Sequence, residues 1–331
     1  MGNNTSITEH KRHYYRELLC IGVPIIIGQL GTIILGFADT LMIGHHSTEE
    51  LAAAGLVNNI ITFILVSYMG FSYGLTPIIG KLYGMEKTDK IGQKVKNSFF
   101  ANMVVGVIFS LALIILYFNL HRIGQPEELL ALIRPYFIVN LISVLFVGVF
   151  NTLKQFLDGI GNTKVAMWVM IMGNIVNIFG NWVLIYGVGP CPEMGLLGAG
   201  ISTLASRVLM AVAMVGIIAG TKEYREYRNN IIASRINGAD FLEMNRLGWP
   251  VALQLALESG AFTLSCVMVG WLGTIPLAAH QVMITISQLF YLVLSGMAAA
   301  LAIRVSHFVG QNDFAAVRRN AYDGWRLNLL F

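Results

Sequence analysis

The feature that most restricts the fold of this chain is a series of long apolar segments without charge. Residues Leu51 to Gly80 include no Asp, Glu, Lys or Arg. A helix needs roughly 20 apolar residues to cross about 30 Å of hydrocarbon, and this segment exceeds that length. Only 12% of the 331 residues are charged, which would leave a water-soluble protein without a polar surface. The sequence therefore predicts an all-α polytopic membrane protein.

The distribution of basic residues predicts how the helices are oriented. Nineteen of the 22 Lys and Arg residues fall in the tail and loops on one side of the predicted helices. Cytoplasmic loops retain positive charge, so we expect a cytoplasmic N terminus. The same asymmetry explains the net charge of +4, and a nucleic-acid partner is not expected. The predicted helices lie near residues 17–44, 51–80, 97–118, 131–153, 165–188, 195–220, 247–272 and 276–309, with a ninth beginning near Ala321.

An internal repeat relates the two ends of the chain. A shift of 226 residues aligns Gly22 and Pro24 with Gly248 and Pro250, and Gly84 with Gly310. Because an even number of helices separates equivalent positions, both copies should cross the membrane in the same direction, as in parallel transporter repeats. We predict a first six-helix lobe over residues 1–226 and the start of a second over 227–331. The offset places Phe331 inside a helix, so the second bundle is expected to be incomplete.

Two acidic residues lie within the hydrophobic spans and are the main candidates for a functional site. Asp39 and Glu258 would each be costly to bury without a partner, and such residues usually mark ion or proton sites. Asp39 could also be an interfacial carboxylate, because a polar loop follows one turn after it. Their repeat equivalents are Ser265 and Thr32, seven residues away on each helix, so the two carboxylates should differ in depth by about 10 Å.

Amide side chains form a polar stripe on the predicted fifth helix. Asn174, Asn177 and Asn181 are spaced by three and four residues and therefore share one face. They either hold neighbouring helices together or surround Asp39 with hydrogen bonds, and Thr203 could join either arrangement. Pro24 and Pro250 occupy equivalent positions early in two helices, where they serve as hinges or as packing positions.

These segments resemble a known family, the multidrug and toxic compound extrusion (MATE) antiporters, in particular the bacterial NorM-like branch. The resemblance rests on PIIIGQLGTIILGFADTLMIG followed by LAAAGL, NIFGNWVLIYG followed by GLLGAGIST, and LAAHQV with IRVSHFVGQND. It implies twelve helices in two lobes around a central cleft. It also implies multidrug or metabolite efflux by antiport with Na+ or H+ in the bacterial inner membrane.

The resemblance implies a role for particular residues in coupling. Asp39 falls on the acidic position of the first lobe, with Asn177, Asn181 and Thr203 as its partners. Glu258 falls on the seventh-helix carboxylate, where Na+ binding is implied. Supporting positions are Tyr136, Gln29 and Gln281. The family's tenth-helix acid, the partner of Glu258, would lie beyond Phe331, and Asn181 stands where some members carry a second acid.

The remaining expectations concern ligands and rival functions. We expect small organic, often cationic, substrates, contact with membrane lipid, a monomer, and no cofactor or metal apart from the coupling ion. Enzymatic activity is not expected, because the sequence contains no cluster of catalytic residues at one depth. The alternatives are a flippase of lipid-linked saccharides and a membrane fragment that does not transport. A flippase would favour a basic cavity, yet Arg207 is the single base predicted well inside a span.

Overall fold

The computed structural model describes residues 2–123 and 126–328, and the side chains of residues 15–122 and 126–326 except at 267, 270, 274, 277 and 278. The predicted end at Phe331 lies outside this range. The described chain is almost entirely α-helical and shows no strand, which confirms the predicted all-α class. Its helices are α1 (Gly2–His46), α2 (Thr48–Tyr73), α3 (Leu75–Gly84), α4 (Thr88–Phe118), α5 (Glu127–Gly159), α6 (Thr163–Tyr186), α7 (Gly195–Gly220), α8 (Arg225–Ala233), α9 (Gly238–Gly270), α10 (Thr274–Gly310) and α11 (Phe314–Asn328).

Seven helical segments among the described residues are long and apolar enough to cross a membrane. They are Tyr15–His46, Thr48–Gly84, Thr88–Phe118, Glu127–Gly159, Thr163–Tyr186, Gly195–Gly220 and Ala279–Gly310. Within hydrocarbon, a helix satisfies its backbone N–H and C=O groups internally, which is why these segments are helical along their length. Glu258 lies on α9, a helix of 33 residues that packs against α2 and is not among these seven segments.

Several helix boundaries differ from the sequence prediction. The predicted helix 51–80 divides at Gly74 into α2 and α3. Pro77 explains this break, because its nitrogen carries no hydrogen for the carbonyl of Tyr73 and its ring displaces that carbonyl. The loop before the seventh predicted span contains the short helix α8, and α11 begins at Phe314 rather than near Ala321.

Following the repeat, we call α1–α7 the first half and α9–α11 the second half. The first half packs around α5, which contacts α2, α4 and α7, while α6 lies between α1 and α7. Its centre contains the fully buried aromatic side chains of Tyr68, Phe71, Phe137 and Phe156. We call the ends of α3, α5 and α10, together with the starts of α4, α9 and α11, the basic face.

The two halves meet near the basic face through glycines at equivalent positions of the repeat. A Cβ atom at Gly22 would lie 2.8 Å from the sulfur of Met297, and one at Gly248 would lie 2.7 Å from the ring of Phe71. Phe71 and Met297 are themselves equivalent under the 226-residue shift. Small residues allow such close helix approach, so the interface follows the internal symmetry of the sequence.

The same symmetry continues where α3 and α10 end. A Cβ atom at Gly84 would collide with the carbonyl oxygen of His307, and one at Gly310 would collide with the carbonyl oxygen of Lys81. Gly84 is equivalent to Gly310, and Lys81 to His307. Residues that exchange places in this way lie on either side of a two-fold axis. The interface is closed by His307, whose Nε2 lies 2.7 Å from the carbonyl oxygen of Gly159 at the end of α5.

A polar network also ties α4 to the start of α9. Asp240 accepts hydrogen bonds from Lys94 Nζ and Gln93 Nε2, each at 2.6 Å. Asn97 is fully buried, and its Oδ1 accepts from the backbone N–H of Asn237 at 2.7 Å. The network therefore fixes the point at which the second half begins.

We expect Asn97→Ala to lower the free energy of unfolding by about 1–3 kcal/mol, because it removes a fully buried amide that accepts from the N–H of Asn237 and bonds to the start of α9. Thermal unfolding in detergent, followed with a thiol-reactive dye on the native cysteines, measures the change. Substitution of exposed Lys90 by Ala should leave the transition in place. An unchanged transition in the Asn97 variant would show that the network does not stabilise the junction.

Candidate functional site

Asp39 lies seven residues before the end of α1 and faces α6. Its Oδ1 accepts a hydrogen bond of 2.5 Å from Nδ2 of Asn181. Asp39 is half-buried and Asn181 is fully buried. The carboxylate is thus held inside the first half rather than presented to the surface.

Asn177 and Thr203 extend the hydrogen bonding around this carboxylate. In the amide orientation that satisfies both ends of Asn177, its Nδ2 donates to Asp39 Oδ1 at 3.0 Å. Its Oδ1 then accepts from Thr203 Oγ1 at 3.2 Å. Ser202 Oγ donates to the carbonyl oxygen of Asn177 at 2.7 Å, which joins α7 to α6 behind the site. The structure therefore brings Asp39, Asn177, Asn181 and Thr203 into one cluster. Asn174 lies outside it, against Gly31 of α1.

One acceptor in this cluster has no hydrogen-bond partner. Oδ1 of Asn181 is buried and unpaired, although the other end of the same amide is bonded to Asp39. A buried acceptor without a donor costs about 1–3 kcal/mol. Carboxylate, amide and hydroxyl oxygens in one place are the ligands that hard cations prefer. The arrangement can therefore hold a proton or a small cation.

Tyr136 and Arg207 lie beside the cluster. Tyr136 Oη donates to Asn58 Oδ1 at 2.9 Å, and Arg207 Nη1 donates to Ser143 Oγ at 2.5 Å. Both side chains are within electrostatic range of Asp39. Arg207 therefore supplies a positive charge near the carboxylate. The sequence alone did not predict that Arg207 and Asp39 lie close together.

Glu258 belongs to a different part of the molecule. It is half-buried on α9, and its carboxylate interacts electrostatically with the phenol of Tyr291 on α10. α9 packs against α2, whereas the Asp39 cluster is formed by α1, α6 and α7. The two predicted carboxylates are therefore in separate sites.

The supporting and hinge positions are also on separate helices. Ser295 Oγ donates to Gln29 Oε1 at 3.2 Å, which links α10 to α1, and Gln281 Nε2 donates to the Cys266 sulfur at 2.9 Å. Pro24 and Pro250 lie inside the continuous helices α1 and α9. Their role as hinges stays a prediction.

A buried ion pair on α5 was not predicted from the sequence. Lys154 was expected in a basic loop, and every acid other than Asp39 and Glu258 was expected in a loop or at a helix end. In the structure Lys154 lies within α5, and its Nζ is 2.6 Å from Oδ2 of Asp158, which is only 3% exposed. The apolar pattern ends before these residues, so they read as a loop, but α5 continues to Gly159. The i, i+4 spacing of opposite charges was the available signal.

Comparison with protein families identifies one match over most of the chain. The model of the MatE family matches residues 24–183 and 250–331. Two curated relatives are similar along nearly the whole sequence. The probable multidrug resistance protein NorM of Photorhabdus laumondii is 31% identical over 298 residues, which cover 90% of this chain and 65% of that protein. The multidrug resistance protein NorM of Photobacterium profundum is 27% identical over 324 residues, covering 96% and 70%.

Solved structures share the same fold. A crystal structure of MATE in complex with MaD3S has a TM-score of 0.86 and 20% identity, and the match covers 95% of this chain and 70% of that one. A multidrug resistance MATE family transporter of the MOP superfamily in an outward-facing conformation has a TM-score of 0.81 and 19% identity, and the match covers 95% of this chain and 69% of that one.

Proposed function

The chain belongs to the MatE family of membrane transporters, and we propose on this basis that it exports small organic molecules in exchange for Na+ or H+. Both curated relatives carry multidrug resistance names. We place it in the bacterial inner membrane with the basic face toward the cytoplasm, because basic residues are retained on that side. Organic cations are the proposed substrate class, since the helices offer carboxylates rather than a basic cavity.

The observation that carries this proposal is the Asp39 cluster. A half-buried carboxylate is bonded to the amide of Asn181, whose own oxygen lacks a donor. A cation or proton arriving at the site neutralises Asp39. Cation binding therefore changes the relative free energies of helix arrangements that place Asp39 at different depths or in contact with different amounts of water.

Cation binding is coupled to substrate export when that free-energy change favours one arrangement of the two halves over another. The glycine contacts between the two halves that involve Gly22, Gly84, Gly248 and Gly310 lie toward the basic face. At the other end, α1 exposes Phe37 and Leu41, and α10 exposes Met283 and Phe290. We assign this arrangement to a state open toward the outside, in which cations reach Asp39 and substrate leaves. Substrate and cation then affect each other's affinity reciprocally.

Reconstitution into proteoliposomes tests the proposal. A Na+ gradient and a proton gradient are imposed separately, and movement of a fluorescent organic cation is followed. We expect one gradient alone to drive transport against the dye gradient, and this result identifies the coupling ion. Equal dye movement with and without either gradient would contradict antiport. Protein-free vesicles under the same gradients give the background.

We expect Arg207→Met to tighten cation binding at the Asp39 cluster by roughly tenfold, because it removes a positive charge near the carboxylate. The measurement is the Na+ concentration, or the pH, that gives half-maximal dye exchange.

Ser143→Ala is the matched control for this prediction. It removes the hydrogen-bond partner of Arg207 but keeps the positive charge, so cation affinity should change little. If both variants weaken cation binding alike, Arg207 acts through packing rather than through its charge.

A further inference from the structure

A second polar stripe lies on α5, outside the Asp39 cluster. Asn151, Gln155 and Asp158 are spaced by four and three residues and share one helical face, with Lys154 between them. Asn151 is 3% exposed, Gln155 4% and Asp158 3%. A membrane protein carries such a stripe at considerable cost unless its groups are paired or functional.

The stripe is only partly paired. Asp158 Oδ2 binds Lys154 Nζ at 2.6 Å, and Gln155 Oε1 accepts from Thr76 Oγ1 at 2.6 Å. Three buried atoms of the same side chains have no partner, namely Asn151 Nδ2, Gln155 Nε2 and Asp158 Oδ1. Two donors and one acceptor on a single helix face are the partners that a buried water molecule uses.

Titratable groups connect this stripe with Glu258. The phenol of Tyr73, in the last turn of α2, is within electrostatic range of Lys154 and Asp158. Tyr73 is also within electrostatic range of Tyr291, which lies beside Glu258. Tyr73 is therefore within electrostatic range both of the stripe on α5 and of the phenol beside Glu258.

The other elements packed here add further titratable and charged groups. On α10, His307 binds the carbonyl oxygen of Gly159, the residue after Asp158, and Arg304 is near His307. α3 contributes the neutral hydroxyl of Thr76. Arg304 in turn pairs with Glu17 of α1 at 2.6 Å, and the ring of Tyr83 on α3 packs against that of His307. The charged and titratable groups nearest to Asp158 are therefore Lys154, Tyr73 and His307, and Arg304, Glu17 and Tyr83 lie beyond His307.

We propose that Asn151, Lys154, Gln155 and Asp158 form an internal water site that carries protons between Glu258 and the basic face. The inference rests on the proposed antiport and names a route that serves it. A proton arriving through water adds to Asp158 Oδ1, while Oδ2 stays bonded to Lys154. The same proton then leaves Oδ1 for water at the basic face, so the site is unchanged after each passage.

Proton flux tests the route. In proteoliposomes that contain a pH-sensitive dye, we expect Asp158→Asn to lower proton movement during exchange by roughly a hundredfold, because Asn cannot accept a proton. Asp158→Glu keeps a carboxyl group and should retain most of the flux.

A double variant separates proton transfer from folding. Asp158→Asn leaves Lys154 buried without a counter-charge, which can prevent folding. Lys154→Met with Asp158→Leu removes both charges, and such replacements often preserve stability. We expect this double variant to fold and to be as slow as Asp158→Asn. Wild-type proton flux in the double variant would overturn the proposal.

Water occupancy provides a test that does not depend on transport. Hydroxyl radicals generated by X-rays from trapped water modify neighbouring tyrosines. We expect modification of Tyr73 in lipid nanodiscs to be roughly threefold greater in the wild type than in Asn151→Leu, which removes one donor. Equal modification would refute the water site. A wild type that shows no gradient-driven exchange but does show Tyr73 modification would refute antiport and leave the water site standing.

Discussion

Replacement of Asp39 by Asn should reduce gradient-driven dye efflux by roughly a hundredfold. The amide has nearly the same shape and its oxygen can still accept from Asn181, so the fold and the expression level should be preserved. What is lost is the charge that cation binding neutralises. Without it, occupancy of the site no longer changes the free energy of one arrangement relative to another.

Efflux and drug resistance measured in cells that express each variant check this result. Asp89→Asn is the matched control, because Asp89 is an exposed acid in the first turn of α4 and should be dispensable. Unchanged resistance with the Asp39 variant would exclude this residue from coupling. A loss shared by both variants would point to expression or net charge.

Replacement of Gly84 by Val should separate α3 from α10 at the basic face. A Cβ atom there meets the backbone of His307, which cannot rotate away as a side chain could. We expect the helices to move apart by roughly 3 Å and transport to fall about tenfold or more, because the closed interface no longer forms. Gly216→Val on α7 is the control, since a Cβ atom at Gly216 meets nothing within 4 Å.

Distances between spin labels report this movement. After replacement of Cys20, Cys191 and Cys266, labels at Lys90→Cys and Asp313→Cys lie on the first half and at the end of α10. The distance distribution should shift to longer values with Gly84→Val and stay in place with Gly216→Val. Identical distributions in all three proteins would show that α3 and α10 do not control this contact.

The sequence predicts the class of fold well, because an apolar segment within hydrocarbon must be helical to satisfy its own backbone hydrogen bonds. It also predicts that Asp39 and the amides of Asn177 and Asn181 would meet if α1 packs against α6. That contact is expected because the polar side chains of this stripe have few other hydrogen-bond partners within the membrane. The functional role of the cluster stays a prediction until transport is measured.

The features that the sequence did not reveal depend on packing between distant segments. Lys154 and Asp158 look like loop residues beside an apolar run, and only the packing of α5 against α2 and α3 buries them. Arg207 is visible as a base inside α7, but its proximity to Asp39 depends on how α7 lies beside α6 and α1. The residue pattern of a helix determines which side chains lie on each of its faces. Which helices it packs against depends on the packing of the whole bundle.

The glycine contacts near the basic face have a consequence for ancestry. Gly84 touches the residue equivalent to Lys81, and Gly310 touches Lys81 itself. Before duplication, one shorter gene product would have presented both surfaces and could have associated with an identical molecule through them, as isologous dimers do. Every substitution in that ancestor had to be compatible with a second copy of itself. Fusion removed this restriction, and unlike residues such as Phe71 and Met297 could then arise on the two sides.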